Sequence, residues 1–322
     1  MFFPPRKVLV VGATGQQGSA VLAELSQLVT ANASSQGGSS RPPALKVLAL
    51  TRKASSKKAQ ALVPKYGGTR EVLDLEVVEG DTRDPEPIFA AHEDIDAVFS
   101  YTTPIWDEEA QARPLIDAAA RHGVKRFVFS SIERGGEARS WENPTDVPHF
   151  VTKHNIEHYL RKTCAESPSM TYTILRPVAF MDNLNPTSGF GPVMAATWHT
   201  LPSSTKLQLV SVRDIGVFGA KALWYPEIYE NRAISLAGDE LTLLDARSIF
   251  RRVTGTQLPQ AWTIVGYVFR WLVHDVGKMF DFFEKEGYKA DIQELKAAEP
   301  RLQDFETWLK ESSTFESAKE KK

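Results

Sequence analysis

The sequence contains one cysteine, Cys164, among its 322 residues. A single cysteine cannot form an intramolecular disulfide bond or supply a zinc site built from several cysteines. An excess of charge of one sign is also lacking, because 38 Lys and Arg residues are set against 40 Asp and Glu residues, a formal net charge of −2. So neutral a chain has no general electrostatic attraction for DNA, RNA or an anionic membrane. We therefore expect no direct nucleic-acid binding.

Long apolar runs are missing as well. The most apolar later stretch, 264–273, contains Arg270 and is too short to cross a bilayer. The first residues show no basic leader followed by an apolar stretch of signal-peptide length, since Pro4 and Pro5 interrupt them. We expect a cytoplasmic protein, with the nucleus as an additional location, and no membrane association.

The first half of the sequence alternates β-branched apolar runs with helical patterns, which predicts crossover units and a mainly parallel sheet with helices on both faces. Within the 107–122 helix, Pro114 indicates either a kink or a later start. After about Asp182 the pattern becomes loop-like and then helical and aromatic, typical of a smaller cap. Residues 31–43 are rich in Ser, Gly and Pro and are predicted to be a surface insertion. Strands are predicted at 7–11, 46–51, 75–79, 97–101, 127–131 and 172–175, and helices at 19–29, 54–63, 107–122, 149–166, 212–225 and 243–253.

The sharpest local signal is a run of glycines at every third position, directly after the first strand and directly before the first helix. In a dinucleotide-binding turn the first glycine permits a tight turn, the second lets the backbone approach a pyrophosphate, and the third allows close helix packing. The helix N-terminus then offers free N–H groups to the phosphates. The alternative is an ordinary glycine-rich turn. The residues predicted to bind a cofactor here are Gly12, Thr14, Gly15, Gln16, Gln17 and Gly18.

The end of the second strand favours NADP(H) over NAD. An NAD site usually has an acidic residue here for the ribose 2′-hydroxyl, whereas this sequence has Arg52 and Lys53. Arginine can hold a phosphate through two parallel hydrogen bonds, which suits the 2′-phosphate of NADP. A solvated basic turn is the alternative interpretation.

The ends of the third and fourth strands are expected at the same edge of the sheet. Asp81 and Thr82 follow the third strand and could contact adenine, and Tyr101 and Thr102 lie at the end of the fourth and could flank the two riboses. Each of these segments can equally be an ordinary loop.

A series of short motifs runs along nearly the whole chain. They are Val-Gly-Ala-Thr-Gly-Gln-Gln-Gly at 11–18, Leu-Thr-Arg-Lys at 50–53, Glu-Gly-Asp at 79–81, Phe-Val-Phe-Ser-Ser at 127–131, His-Phe-Val-Thr-Lys at 149–153, Leu-Arg-Pro-Val-Ala-Phe-Met-Asp-Asn at 175–183, Val-Arg-Asp-Ile-Gly at 212–216 and Phe-Phe-Glu-Lys-Glu-Gly-Tyr-Lys-Ala-Asp at 282–291. Taken in order, these motifs resemble the NmrA-like family of the atypical short-chain dehydrogenase/reductase superfamily. The resemblance implies a Rossmann-type, doubly wound parallel sheet with a smaller, partly interleaved C-terminal cap. We therefore assign 1–183 to the NADP-binding domain, with 207–237 returning to it, 184–206 and 238–311 to the cap, and 312–322 to a polar tail.

The resemblance also locates candidate catalytic residues. Classical members of the superfamily use a tyrosine with a lysine four residues later; here the lysine is Lys153, and His149 stands in the place of the tyrosine. We expect Lys153 to bind the nicotinamide ribose, His149 or Lys153 to protonate a substrate oxygen, and Ser131, or Ser130 beside it, to polarise that oxygen. A solvated helix face is the alternative, and no metal site is predicted.

Two functions follow from the resemblance. One is an NADPH-dependent oxidoreductase acting on a small apolar quinone, enone or carbonyl compound. The other is a non-catalytic NADP(H) redox sensor that regulates a protein partner, such as a transcription factor. An oligomer is compatible with either.

Overall fold

The computed structural model describes residues 4–35, 44–68, 72–104 and 107–316. Its main sheet has seven strands in the order β3-β2-β1-β4-β5-β6-β9, and a smaller sheet has the order β10-β8-β7. The strands are β1 (Lys7–Val10), β2 (Leu45–Thr51), β3 (Leu73–Glu79), β4 (Ala97–Tyr101), β5 (Arg126–Ser130), β6 (Thr171–Pro177), β7 (Ala179–Phe180), β8 (Leu207–Val210), β9 (Arg232–Leu236) and β10 (Asp239–Leu241).

Helices alternate with the strands in the first half and dominate the last third. They are α1 (Gln16–Ser35), α2 (Lys57–Gln60), α3 (Leu62–Tyr66), α4 (Glu86–Ala91), α5 (Glu108–Arg121), α6 (Glu137–Ser140), α7 (Pro148–Glu166), α8 (Gly191–Trp198), α9 (Val212–Trp224), α10 (Pro226–Tyr229), α11 (Leu243–Thr254), α12 (Thr263–Leu272), α13 (His274–Lys285), α14 (Ile292–Ala298) and α15 (Phe305–Glu311). Short 3₁₀ helices lie at Met181–Leu184 and Pro186–Ser188.

The main sheet is the doubly wound Rossmann arrangement predicted from the sequence. Strand β1 pairs in parallel with β2 on one side and with β4 on the other, so Val8 lies between Val47 and Ala97. The pairs β2–β3, β4–β5 and β5–β6 are also parallel. The apolar runs occur because these strands are covered on both faces. Since the strand order reverses between β1 and β4, ligands are expected outside the carboxyl ends of these two strands.

Helix α5 decides between the two interpretations of Pro114. The Asp107 side chain accepts a hydrogen bond from the Ala110 N–H at 3.1 Å and caps the first turn, so α5 begins at Glu108 and contains Pro114. The later start is therefore wrong. The single helix predicted at 54–63 is also wrong in detail, because this segment forms the two short helices α2 and α3.

The chain divides into two compact units. The first comprises Met1–Ser131, Asn155–Leu175 and Ile215–Ile234, and the second comprises Ile132–His154, Arg176–Asp214 and Ser235–Lys322, less the residues outside the described ranges. The second unit contains the small sheet, in which β8 pairs in parallel with β7 and antiparallel with β10. The sequence pattern did not predict these strands, because each has only two to four residues.

Two predicted surface segments fall partly within the described residues. Residues 31–35 continue α1, and 36–43 lie outside the described residues. At the other end, the Thr314 N–H donates to Asn185 Oδ1 at 2.9 Å, and the Phe315 ring packs 4.8 Å from that of Phe250. The polar tail is therefore anchored at its start, and 317–322 lie outside the described residues. In the described ranges, each helix is too short or too polar to cross a membrane.

Candidate functional site

The glycine turn has the tight geometry expected from its spacing. Gly12 adopts a positive φ of 61°, which favours glycine, and the Gly15 N–H donates to the Gly12 carbonyl oxygen at 2.8 Å. A Cβ atom on Gly18 would lie 2.7 Å from the Gly12 carbonyl carbon and 2.9 Å from Ala13 Cα. The third glycine therefore lets the start of α1 lie directly against the turn.

A pocket of about 490 Å³ opens beside this turn, within the first unit. It lies at the carboxyl ends of β1 to β4, where the reversal of strand order leads us to expect a ligand. We call it the glycine-turn pocket. Eight of the residues predicted to bind the cofactor line it: Gly12, Thr14, Gly15, Arg52, Lys53, Asp81, Thr82 and Tyr101.

Cationic side chains dominate the charge of the glycine-turn pocket. Lys58 and Arg83 line the pocket together with Arg52 and Lys53. Arg83 was not among the predicted cofactor residues, although it directly follows Thr82. The single carboxylate among the lining residues is that of Asp81, and it lies 3.0 Å from Arg83 Nε. The hydrogen bond from Arg83 lowers the pKa of Asp81, so this carboxylate stays ionised and paired. The remaining positive charges face an open pocket in a chain whose net charge is −2.

Tyr101 lies across the glycine turn. Its hydroxyl donates to the Gly12 carbonyl oxygen at 3.2 Å, and a Cβ atom on Gly12 would lie 2.5 Å from the same hydroxyl. Burial raises the pKa of Tyr101, so the phenol remains a neutral donor at neutral pH. The absence of a side chain at Gly12 is therefore what allows Tyr101 to approach.

Other predicted cofactor residues do not line the pocket. Gln16, Gln17 and Gly18 form the first turn of α1. The Thr102 hydroxyl donates at 2.5 Å to the buried carboxylate of Glu108. Thr103 and Gln111 line the pocket beside Tyr101, and they hydrogen-bond to one another.

Two predicted catalytic residues and a buried glutamate lie on α7. His149, Lys153 and Glu157 are four residues apart and therefore lie on one face of the helix. Lys153 is 7% exposed and Glu157 is fully buried. The Ser131 hydroxyl, which we predicted would polarise a substrate oxygen, donates to the Glu157 carboxylate. This use of the Ser131 proton cannot be read from the sequence, because 26 residues separate Ser131 from Glu157.

The structure pairs His149 with Asp275, a contact within the second unit that the sequence did not reveal. Asp275 Oδ2 lies 2.5 Å from His149 Nδ1, and Oδ1 accepts from the His149 backbone N–H at 3.2 Å. Burial alone would raise the pKa of Asp275, but the hydrogen bonds and charge of His149 outweigh it and lower that pKa. Because a carboxylate lies against Nδ1, Nε2 is the ring nitrogen left for acid–base chemistry.

Cysteine and metal chemistry gain no support from the described residues. Cys164 is buried, and burial raises its pKa to about 12, so it is held as a thiol rather than as the nucleophilic thiolate. No group of three His, Cys, Asp or Glu side chains in the described ranges could hold a metal ion.

Relatives with known structures share this fold. Triphenylmethane reductase of Citrobacter sp., solved as a complex with NADP(H), superposes with a TM-score of 0.64 at 19% identity, covering 94% of this chain and 97% of that chain. NmrA, described as a negative transcriptional regulator and solved in complex with NAD, superposes with a TM-score of 0.64 at 16% identity, covering 97% and 96% of the two chains. These structures support the fold assignment, and both hold a nicotinamide dinucleotide.

A curated relative matches at the level of sequence. Agroclavine dehydrogenase of Claviceps fusiformis is 28% identical over 172 residues, which is 52% of this chain. The match covers 53% of that enzyme, so this chain spans about half the length of the curated relative. The family match is far more extensive, because it runs from residue 4 to residue 309. The resemblance predicted from the motifs is confirmed: the chain belongs to the NmrA-like family.

Proposed function

We propose that this protein binds NADP(H) in the glycine-turn pocket and uses it to reduce a small apolar quinone, enone or carbonyl compound. The observation that carries the proposal is the pocket itself, which is lined by the glycine turn and by four cationic side chains. A dinucleotide with a 2′-phosphate carries its negative charge on phosphates, which these cations would bind.

The residues present fit such a cofactor. Gly12 and Gly15 line the pocket, and the Tyr101 hydroxyl occupies the space into which their Cβ atoms would point. A pyrophosphate would therefore approach the backbone of the turn beside Tyr101. Arg52 and Lys53 lie at the end of β2, where the adenosine ribose of a dinucleotide is bound in this fold, and they suit its 2′-phosphate. The relatives solved with NADP(H) and with NAD support the binding of a nicotinamide dinucleotide by this fold.

For catalysis we assign roles to residues of this chain. Bound NADPH supplies a hydride. His149 Nε2 donates a proton to the substrate oxygen, the Asp275 carboxylate beside Nδ1 stabilises the charged ring, and Lys153 binds the nicotinamide ribose. The names of two relatives, a dehydrogenase and a reductase, favour redox chemistry of this kind.

The test of cofactor binding is Arg52→Ala, with dissociation constants measured for NADPH and NADH. A charge-assisted hydrogen bond is worth about 1.5–3 kcal/mol, so we expect NADPH to bind roughly 10- to 150-fold more weakly and NADH to be affected little. Lys65→Ala is the matched control, because it removes an exposed positive charge of the same unit outside the pocket. Equal losses for both cofactors, or none, would contradict the 2′-phosphate assignment.

The test of catalysis is NADPH oxidation with a panel of quinones, aldehydes and enones. We expect His149→Asn to lower kcat by about 10²- to 10⁴-fold, the usual contribution of a positioned acid, while NADPH affinity stays within about threefold. Asp275→Asn should lower kcat and alter its pH profile, because the ring loses its carboxylate. Lys153→Ala should weaken NADPH binding and reduce turnover together. Turnover that is unchanged in His149→Asn would remove His149 from the mechanism.

A second candidate function is a redox sensor that regulates a protein partner such as a transcription factor. Its supporting observation is that the Ser131 hydroxyl donates to the buried Glu157 instead of being available to a substrate. The fold similarity to a transcriptional regulator is compatible with it. Tight NADPH binding without turnover of any compound in the panel, together with different affinities for NADP and NADPH, would favour the sensor.

A further inference from the structure

Helix α12 and its flanking residues expose an unusual amount of apolar surface. Trp262 is 83% exposed, Trp271 is 81% exposed and Leu272 is 65% exposed. We define the α12 stripe as the exposed apolar residues of this segment: Trp262, Ile264, Val265, Tyr267, Val268, Trp271, Leu272 and Val273. Single exposed apolar residues are common on proteins, but eight within twelve consecutive positions form a continuous patch.

The opposite face of α12 is firmly seated within the second unit. A Cβ atom on Gly266 would lie 2.8 Å from the backbone nitrogen of Thr197, so α12 touches the backbone of α8 at that point. Arg270 donates to Asp281 Oδ1 at 2.8 Å and to the Thr200 hydroxyl at 3.1 Å. Because these contacts fix the rotation of the helix, α12 cannot roll to bury the stripe.

The stripe has the spacing of a helix–helix contact. Ile264, Tyr267, Val268, Trp271 and Leu272 stand at positions i, i+3, i+4, i+7 and i+8, which is the pattern of a helix face that packs on another helix. This side of α12 thus presents a complete packing face that none of the described helices and strands covers.

The area of the stripe matches one half of a stable interface. From the exposed fractions, and taking roughly 150–250 Å² for a whole aromatic side chain and somewhat less for an aliphatic one, the stripe exposes on the order of 800 Å². A standard protein–protein interface buries about 800 Å² on each partner. The largest apolar patch on a typical monomer is about 300–600 Å².

We propose that the α12 stripe is the surface through which two copies of this chain associate as a two-fold symmetric dimer. The stripe contains Trp and Tyr, which are enriched in interfaces, and none of its eight members is charged. A two-fold contact brings each residue against the same patch of the second copy, so an uncharged apolar stripe meets a complementary surface without repulsion. A bilayer is a poorer occupant, because interfacial helices carry Lys and Arg on their polar face, whereas the single cation of α12, Arg270, is paired inward.

The two-fold contact has a definite geometry. If two α12 helices pack antiparallel, the axis passes through the middle of the helix, near Tyr267 and Val268. Trp262 of one copy then lies near Trp271 of the other, so each Trp is covered by the second copy. Residues at the centre meet their own counterparts.

Sedimentation of the full chain over about 1–100 μM tests the proposal. We expect the wild type to form a dimer of twice 35.8 kDa and Trp271→Glu to weaken that dimer by at least about 30-fold, the effect of losing an interface hot spot. Leu244→Glu is the matched control, because Leu244 is 72% exposed but lies on α11, and it should leave the dimer intact.

A cysteine at the axis identifies which surface associates. Cys164 is buried, so in Val268→Cys the new thiol is the accessible one, and we expect mild oxidation to link two copies through it. Leu244→Cys should not form this link at the same protein concentration. Three results would overturn the proposal. They are a wild-type chain that stays monomeric at about 100 μM, a dimer that Trp271→Glu leaves unchanged, and a monomer that sediments with phosphatidylcholine vesicles through this stripe.

Discussion

Replacing Asp214 with asparagine should remove a specific pH dependence from the stability of the protein. Asp214 is completely buried within the second unit. Its carboxylate accepts hydrogen bonds from the Gln303 N–H at 2.9 Å and from Arg213 Nη1 at 2.8 Å. Burial nevertheless dominates these contacts and raises the pKa of Asp214 from 3.8 to about 6.

The magnitude follows from this difference in pKa. One pKa unit corresponds to about 1.4 kcal/mol, so a rise of about two units is worth roughly 3 kcal/mol. Because the folded pKa is raised, the folded state holds the proton more tightly than the unfolded chain. The stabilisation is therefore complete below about pH 4, is lost as the pH rises from about 4 to 6, and is absent above about pH 6.

The assay is urea unfolding of the wild type and of Asp214→Asn at several pH values between 4 and 7. We expect the free energy of unfolding of the wild type to fall by about 2–3 kcal/mol relative to the variant across this range. If the variant loses free energy of unfolding because the Arg213 contact is weakened, that loss is the same at every pH. It therefore does not change how the difference between wild type and variant depends on pH. Glu294→Gln, which changes an exposed carboxylate of the same unit, serves as control. A wild-type-minus-variant difference that is constant from pH 4 to 6 would refute the reasoning.

Two further predictions concern the first unit. Gly18→Ala should destabilise the protein by about 1–3 kcal/mol, because the new Cβ atom meets the backbone of Gly12. Gly15→Ala should destabilise it less, because its Cβ atom meets the movable end of the Tyr101 side chain. Thermal unfolding of both variants measures the difference, and equal losses of stability would contradict this reasoning. Cys164 should not react with a thiol reagent at pH 8 in the native protein, because burial raises its pKa to about 12. It should react fully in urea. Rapid labelling of the native protein would contradict this expectation by showing that the thiol is accessible.

The sequence predicted the main sheet well because its strands are buried on both faces. Their apolar runs are continuous, and β4 was predicted with its observed bounds of Ala97–Tyr101. The strands of the small sheet escaped prediction because runs such as Asp239–Leu241 are too short to show a period of two. The predicted division into domains at 183, 207 and 237 is tested by no observation above and stays a prediction.

The glycine-turn pocket was largely predictable, since its residues stand at the ends of strands and local sequence marks those ends. Arg83 could have been found as a cation two residues after Asp81. The pair of His149 and Asp275 could not, because 126 residues separate them and only the folded second unit brings them together. The binding and catalytic roles of all these residues stay predictions.

Each compact unit is assembled from three separate stretches of the chain, and this interleaving constrains how the protein can be made. The first unit is not complete until Ile234 has left the ribosome. It therefore cannot complete its folding before two of the three stretches of the second unit have been synthesised, whereas an N-terminal domain commonly folds first. No single truncation yields either unit alone. A design that exchanges one unit must therefore replace three separate stretches of the chain at once.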